Sequence, residues 1–415
     1  SHWGVRKNKF FLSERKSVVG KDAPKFKLLS LTLQGVILRD MENPKGKFPA
    51  EFDTYKQVFP EDLIFCLFDV EETPRTVGLA KHHGMITGAY TVTRCNDSVS
   101  SAFLYYYYLS LDEGKRLRSL YTGLRNVINR DAFFSLATPL PPRDEQDRIV
   151  AFLDQKTAEI DAAIAKKERL IELLKEQKSI LVNQMVTKGI NPNAPQRDSG
   201  VEWIGEIPGH WHLSRLKFLF SGMEQGWSPQ CFNFEAPEGA WGVLKVGCVN
   251  GATFNERENK QLPPSEQPNP ELQIHIGDIL ISRANSLELV GSAAYVDQCS
   301  RQLMLCDKLY RVHAREEVVL PKYLVLMLKT TFARQWIQNG ANGASPSMQN
   351  IGQAVIKNLL VAVPPLNEQC EILALVESTE SKVKVLESRA ISEIDAMLEL
   401  KRVLIAEVVT GKIKV

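Results

Sequence analysis

Pro141-Pro142-Arg143-Asp144-Glu145-Gln146 recurs as Pro364-Pro365-Leu366-Asn367-Glu368-Gln369, and each copy opens a long run free of glycine and proline. A shift of 223 positions carries the first run onto the second without a gap, ending at Thr187-Lys188-Gly189-Ile190 and Thr410-Gly411-Lys412-Ile413. A repeat that tolerates no insertion over that span points to two helices of fixed length. Pro-Pro disfavours helix before each run, Asp144 or Asn367 can cap it, and the glutamate that follows suits the helix dipole. At a rise of about 1.5 Å per residue, such a helix is roughly 65 Å long.

Inside the first run Leu153, Ile160, Ile164, Ile171, Leu174, Leu181 and Met185 fall on alternating three- and four-residue steps, the coiled-coil pattern. Val376, Val383, Ile394, Met397, Leu404 and Val408 repeat the register in the second. Lys178 and Lys401 occupy matched seam positions, where a charge fixes register and partner at some cost in stability. The two helices are therefore expected to pair with each other. Antiparallel pairing is expected because the segment between them must turn the chain around.

The segments before each helix match more loosely. His2-Trp3 and Lys9-Phe10 align with His210-Trp211 and Lys217-Phe218. The second copy is preceded by Val201-Glu202-Trp203-Ile204-Gly205-Glu206-Ile207-Pro208, which has no counterpart before His2, so native residues upstream are expected. Pro60-Glu61-Asp62-Leu63-Ile64-Phe65 answers Ile276-Gly277-Asp278-Ile279-Leu280-Ile281, each an apolar strand after an acidic turn. Phe103 to Leu109, with four consecutive tyrosines, answers Tyr323 to Leu328, and both read as buried helix rather than as a base-stacking platform. The fold class expected is α+β: two mixed α/β domains joined by two long paired helices, with an internal pseudo-two-fold repeat. The segments are 1–138, 139–190, 191–363 and 364–415.

Composition excludes several classes. No stretch approaches the apolar length needed to span a bilayer and no signal peptide opens the chain, so a cytoplasmic location is expected. Seven scattered cysteines without Cys-x-x-Cys spacing indicate neither a disulfide framework nor a zinc ribbon, and His82-His83 between Cys66 and Cys95 matches no metal-ligand spacing. A net charge of +2 argues against a polybasic binder but not against a recognition protein with a local basic surface. Residues 1–138 carry about 20 Lys and Arg against about 15 Asp and Glu, while residues 191–363 carry about 15 against 16, so only the first segment is basic. Phosphate-binding loops, dinucleotide fingerprints and nucleophile elbows are absent from the sequence, and Glu176-Gln177-Lys178 lies inside the helical run, where a charged face explains it. The chain reads as a binding protein, not an enzyme.

Two variable α/β domains alternating with two near-identical helices, each opened by Pro-Pro-x-x-Glu-Gln, resemble the specificity subunit of a type I restriction-modification enzyme. Further points of resemblance are Trp203-Ile204-Gly205-Glu206-Ile207-Pro208-x-His210-Trp211, Gly277-Asp278-Ile279-Leu280-Ile281-Ser282-Arg283 and Asn342-Gly343-Ala344-Ser345-Pro346-Ser347-Met348-Gln349-Asn350-Ile351. The first domain departs from the pattern, with Cys66-Leu67 in place of Ser282-Arg283 and Tyr121-Thr122-Gly123-Leu124-Arg125-Asn126 in place of Ser345 to Asn350. The resemblance implies two target-recognition domains, each reading half of a bipartite double-stranded DNA target, with the helix pair setting the gap between halves. It implies as partners two methyltransferase subunits, which use S-adenosylmethionine, and translocase-nuclease subunits, which use ATP. This chain would bind neither cofactor.

Candidate DNA contacts in the second domain are Gln225, Trp227, Ser228, Gln230, Lys245, Arg283, Asn285, Ser286, Ser345, Ser347 and Gln349. Arg, Asn and Gln can make bidentate base contacts, and the flanking glycines permit close backbone approach. In the first domain the basic candidates are Arg39, Lys45, Lys47, Arg75, Lys81, His82 and Arg94. The rival reading is a coiled-coil adaptor that does not bind DNA, and the neutral charge of residues 191–363 favours it.

Overall fold

The computed structural model describes residues 2–40, 51–201, 204–251, 253–345 and 347–415. Of the residues singled out above, Lys45, Lys47, Glu202, Trp203 and Pro346 lie outside the described residues. The two long helices run Arg143–Lys188 and Leu366–Val408. The chain divides into two compact units, Ser1–Leu170 with Arg389–Val415, and Ile171–Ser388. The division therefore falls inside both helices rather than at their ends.

Within the first unit the helix segments are antiparallel: Lys401 Nζ lies 2.6 Å from Asp161 Oδ1, and Lys167 Nζ 2.5 Å from Glu393 Oε2. Leu153 is wholly buried and Ala390 nearly so, while Ile160, Ile164, Ile394, Met397 and Leu404 are half-buried. A fully buried leucine such as Leu153 contributes about 2 kcal/mol. Lys401, a charge on the seam, is satisfied by both oxygens of Asp161. In the second unit Met185 and Val186 share a core with Ile372 and Val376, and Ile171, Leu174 and Val383 are half-buried. Leu181 departs from the expected seam: it is 39% exposed, and Val182 packs on the core instead. A straight helix drifts by about 20° per heptad from a strict seven-residue repeat, enough to bring the neighbouring residue inward after Lys178.

Each unit carries the same antiparallel four-stranded sheet. In the first the strand order is Leu12–Glu14, Thr91–Cys95, Leu63–Phe65, Val77–Leu79. In the second it is Phe220–Gln225, Leu309–Ala314, Ile279–Ser282, Ala293–Tyr295. The strands Leu63–Phe65 and Ile279–Ser282 are buried throughout, as their unbroken apolar runs require. A separate two-stranded ribbon, Gly4–Lys7 with Ala137–Leu140 or His212–Arg215 with Leu360–Val363, delivers the chain to Pro-Pro and the long helix.

The helix Ser101–Glu113 covers the first sheet, and Pro321–Leu328 the second. The tyrosine run belongs to this core: Tyr106, Tyr107 and Tyr108 are buried, and the Tyr108 hydroxyl donates to Asn8 Oδ1 at 2.7 Å. The repeat breaks in what is added to this frame. The first unit adds the pairs Leu29–Thr32 with Gly35–Leu38 and Lys56–Val58 with Gly84–Ile86. The second adds a three-stranded sheet of Asn259–Gln261, Gly242–Leu244 and Leu303–Met304.

Candidate nucleic-acid interface

The repeated Glu-Gln motif proves to be a structural latch in both units. Glu145 receives Trp3 Nε1 at 3.1 Å and faces His2 Nε2 at 2.8 Å; Glu368 receives Trp211 Nε1 at 3.0 Å and faces His210 Nε2 at 2.7 Å. The glycine that ends the opposite helix, Gly411 or Gly189, lies at positive φ against the same tryptophan ring. The adjacent glutamines are buried and bind only backbone. Sequence spacing gave the position of this motif but not its partners, which lie more than a hundred residues away for each glutamate.

Burial pushes the Glu145 carboxyl up, but the hydrogen bonds from His2 and Trp3 outweigh it and hold the group below the usual carboxylate range. A carboxyl depressed in the folded state contributes stability above its unfolded value, about 4.3, and that stability is lost as pH falls through the depressed value. Glu145→Gln is accordingly expected to flatten the acid limb of a stability profile measured below about pH 4. An unchanged acid limb would remove Glu145 from the latch.

In the second unit the candidate residues converge. The buried strand Ile279–Ser282 emerges at Arg283, and Ala284–Asn285 then pairs with Met348–Asn350, placing Asn285 opposite Gln349. Gln349 Nε2 donates to the Ser345 carbonyl at 2.7 Å, and the hydroxyls of Ser345 and Ser347 are 2.7 Å apart. Arg283 NH1 donates to the Asp307 carbonyl at 3.3 Å, and Ser228 Oγ to Asp307 Oδ1 at 2.5 Å. Asn285 Nδ2 donates to Asn250 Oδ1 at 2.9 Å, and the Ser286 amide donates to Asn285 Oδ1.

The loop after Gln225 is drawn onto the same edge by Gly226, where a Cβ would lie 2.0 Å from the Leu305 carbonyl oxygen, so any other residue would push the loop away. Trp227, next in line, is 43% exposed. Lys245 precedes the short helix Val246–Val249 that leads to Asn250. Gln230 is exposed, outside these contacts. Sequence reasoning missed Asn250, Asp307 and Lys308, whose carbonyl accepts the Arg283 amide at 2.8 Å; the signal available for the last two was a charged Asp-Lys pair at the head of an apolar strand.

This edge can offer paired amides, a guanidinium held at one nitrogen by a carbonyl, and hydroxyls, which are the groups that read base edges and hold phosphates. Among the described residues no three His, Cys, Asp or Glu gather to hold a metal, and no helix is long and apolar enough to cross a membrane.

The basic candidates of the first unit do not converge. Arg75 turns inward and faces Glu113 Oε1 at 3.6 Å, with both side chains largely buried; burial pushes the Glu113 carboxyl up against the pull of Arg75. Its place as a surface contact is thereby corrected. Arg94, with Arg15, Asp62 and Arg143, lines a polar cavity of about 590 Å³. Arg39 and the exposed Lys81 and His82 sit beside the added strand pairs, outside the repeated frame.

No family model matches the sequence. Among curated proteins, the specificity subunit of the Escherichia coli type I restriction enzyme EcoEI is 31% identical over 56% of this chain, a match spanning 39% of that subunit's length. The EcoKI specificity subunit of Escherichia coli K12 is 24% identical over 86% of this chain and 76% of its own. Among solved structures, a chain of a type I restriction-modification system, 16% identical, covers 98% of this chain and 97% of that chain with a TM-score of 0.66. The HsdS subunit of Thermoanaerobacter tengcongensis, 15% identical, covers 99% and 97% with a TM-score of 0.53. The chain is thus similar in sequence to type I specificity subunits and shares the fold of the two solved structures.

Proposed function

We propose that this chain is the non-catalytic, sequence-reading subunit of a type I restriction-modification complex. Each unit reads one half of a bipartite duplex target, and the paired helices set the unread gap and offer two equivalent docking surfaces to methyltransferase subunits. S-adenosylmethionine and ATP belong to those partners and to the translocase-nuclease subunits, and the complex works in a prokaryotic cytoplasm. The observation that carries this reading is the convergence of Ser228, Arg283, Asn285 and Gln349 on one edge of the second unit. Two copies of one frame, each with different loops, suit a reader of two unlike half-sites.

The test is methylation mapping by single-molecule sequencing in cells expressing this chain with its neighbouring methyltransferase, against cells lacking this chain. A split motif methylated on both halves, present only with the chain, is expected. Methylation that is the same with and without the chain would move the function to a scaffold that binds no DNA, and the binding of such a scaffold to its protein partners would lack the steep salt dependence of phosphate contacts.

A further inference from the structure

The first unit holds a hairpin that the charge-based candidates passed over. Tyr121–Thr122 pairs with Val127–Ile128, and its inner strand docks on the chain emerging from Leu63–Phe65: the Ile128 amide donates to the Leu67 carbonyl at 2.8 Å and the Asp69 amide to the Arg125 carbonyl at 2.8 Å. The second unit does the same, the Ile351 amide donating to the Arg283 carbonyl at 3.0 Å. Ile128 therefore answers Ile351, and because the Asp69 amide meets the Arg125 carbonyl where Asn285 pairs with Gln349, the first hairpin carries one extra residue between Arg125 and Ile128. Arg125 then answers Gln349 and Leu124 answers Met348, while Leu67 stands where the other copy has Arg283.

Three features mark this hairpin as a built surface. Leu124 at its tip is fully exposed, at 103%. Asp69 and Asn126 both hold positive φ, 48° and 46°, a conformation that costs energy outside glycine and clusters where a loop must present a group. Arg125 is fixed beside the tip by a two-point ion pair with Asp69, its guanidinium 5.5 Å from the Phe68 ring. A single exposed leucine is ordinary on a protein surface. Leu124 differs because the other copy also holds an exposed apolar side chain at this point, Met348 at 46%, one residue before the candidate Gln349.

Resting on the proposed DNA-reading function, we infer that this hairpin is the reading element of the first unit and that Leu124 contacts a thymine C5-methyl group in the major groove. An aliphatic side chain cannot hydrogen-bond a base edge, and the thymine methyl is the apolar group that the groove presents. Arg125, held by Asp69, stands beside it to meet a phosphate or guanine.

The experiment uses the assembled methyltransferase complex and its mapped target, with each thymine replaced in turn by deoxyuridine, which lacks only that methyl. Asn285→Ala identifies the half read by the second unit. In the other half, one replacement is expected to weaken wild-type binding about fourfold, the worth of one buried methyl. Leu124→Ala should weaken binding to the thymine target by about tenfold and become indifferent to the replacement. Leu33→Ala, an exposed leucine of the same unit outside the hairpin, should bind as wild type. If every deoxyuridine target binds as well as thymine and Leu124→Ala binds as wild type, the assignment falls while specific DNA reading stands. Loss of all sequence preference in the wild-type complex would overturn both.

Discussion

Gln369→Ala is expected to destabilise the second unit by about 4 kcal/mol, and Gln146→Ala the first by about 2 kcal/mol, because each removes buried hydrogen-bond partners worth roughly 1–3 kcal/mol apiece. Gln369 is wholly buried: its Oε1 accepts the Leu320 amide at 2.8 Å, and its Nε2 donates to the carbonyls of Val318 and Pro364 at 2.9 Å each. Gln146 does the same with one carbonyl fewer, accepting the Ser100 amide and donating to the Pro141 carbonyl, both at 2.8 Å.

Leu320 and Ser100 are the N-cap residues of the helices that cover the two sheets. The glutamine thus ties the start of each long helix to the start of its unit's core helix. Truncation leaves the cap amide and the first proline carbonyl without their side-chain partner in a buried site. Urea unfolding gives the magnitude, and hydrogen exchange at the Leu320 and Ser100 amides locates it. Losses under about 0.5 kcal/mol for both variants would mean that the motif is held by its prolines and glutamates alone.

The helices were legible because their signal is local. A 3.5-residue apolar period, a Pro-Pro stop and an acidic first turn all lie within a few residues of what they specify, and the tyrosine run was legible as core because it answered an aliphatic run in the other copy. The latch was not legible in the same way: Trp3 finds Glu145, and Trp211 finds Glu368, across separations that no periodicity reports. Leu181 was misplaced by the small mismatch between a seven-residue repeat and the helical turn.

The candidate site of the second unit was readable for a physical reason. Its candidate residues are polar and lie near glycines or at the end of an apolar strand, and burying that strand forces the polar residues to the edge. The first unit keeps the same geometry but puts Leu67 where Arg283 stood, so a search by charge went instead to Arg75, which the fold uses to face Glu113 inside. Topology, not composition, identifies the equivalent edge.

Deleting one heptad from residues 160–174 together with one from 383–397 is expected to abolish methylation of the original split target while leaving the bases of each half-site unchanged. Under the proposed function the unread gap follows from helix length, and seven residues correspond to about 10 Å of helix. That is about three base pairs of duplex at roughly 3.4 Å each. Three base pairs also turn one half-site by close to a third of a helical turn relative to the other, since a full turn takes about 10 base pairs. The shortened protein must therefore twist the duplex to read both halves, and any new target should be both shorter in the gap and more weakly methylated. The paired deletion keeps the apolar period intact in both helices, so folding is expected to survive, checked by the circular dichroism of the purified chain. Methylation that persists at the original gap, or a change in the bases read at either half, would break the link between helix length and target geometry on which the gap assignment depends.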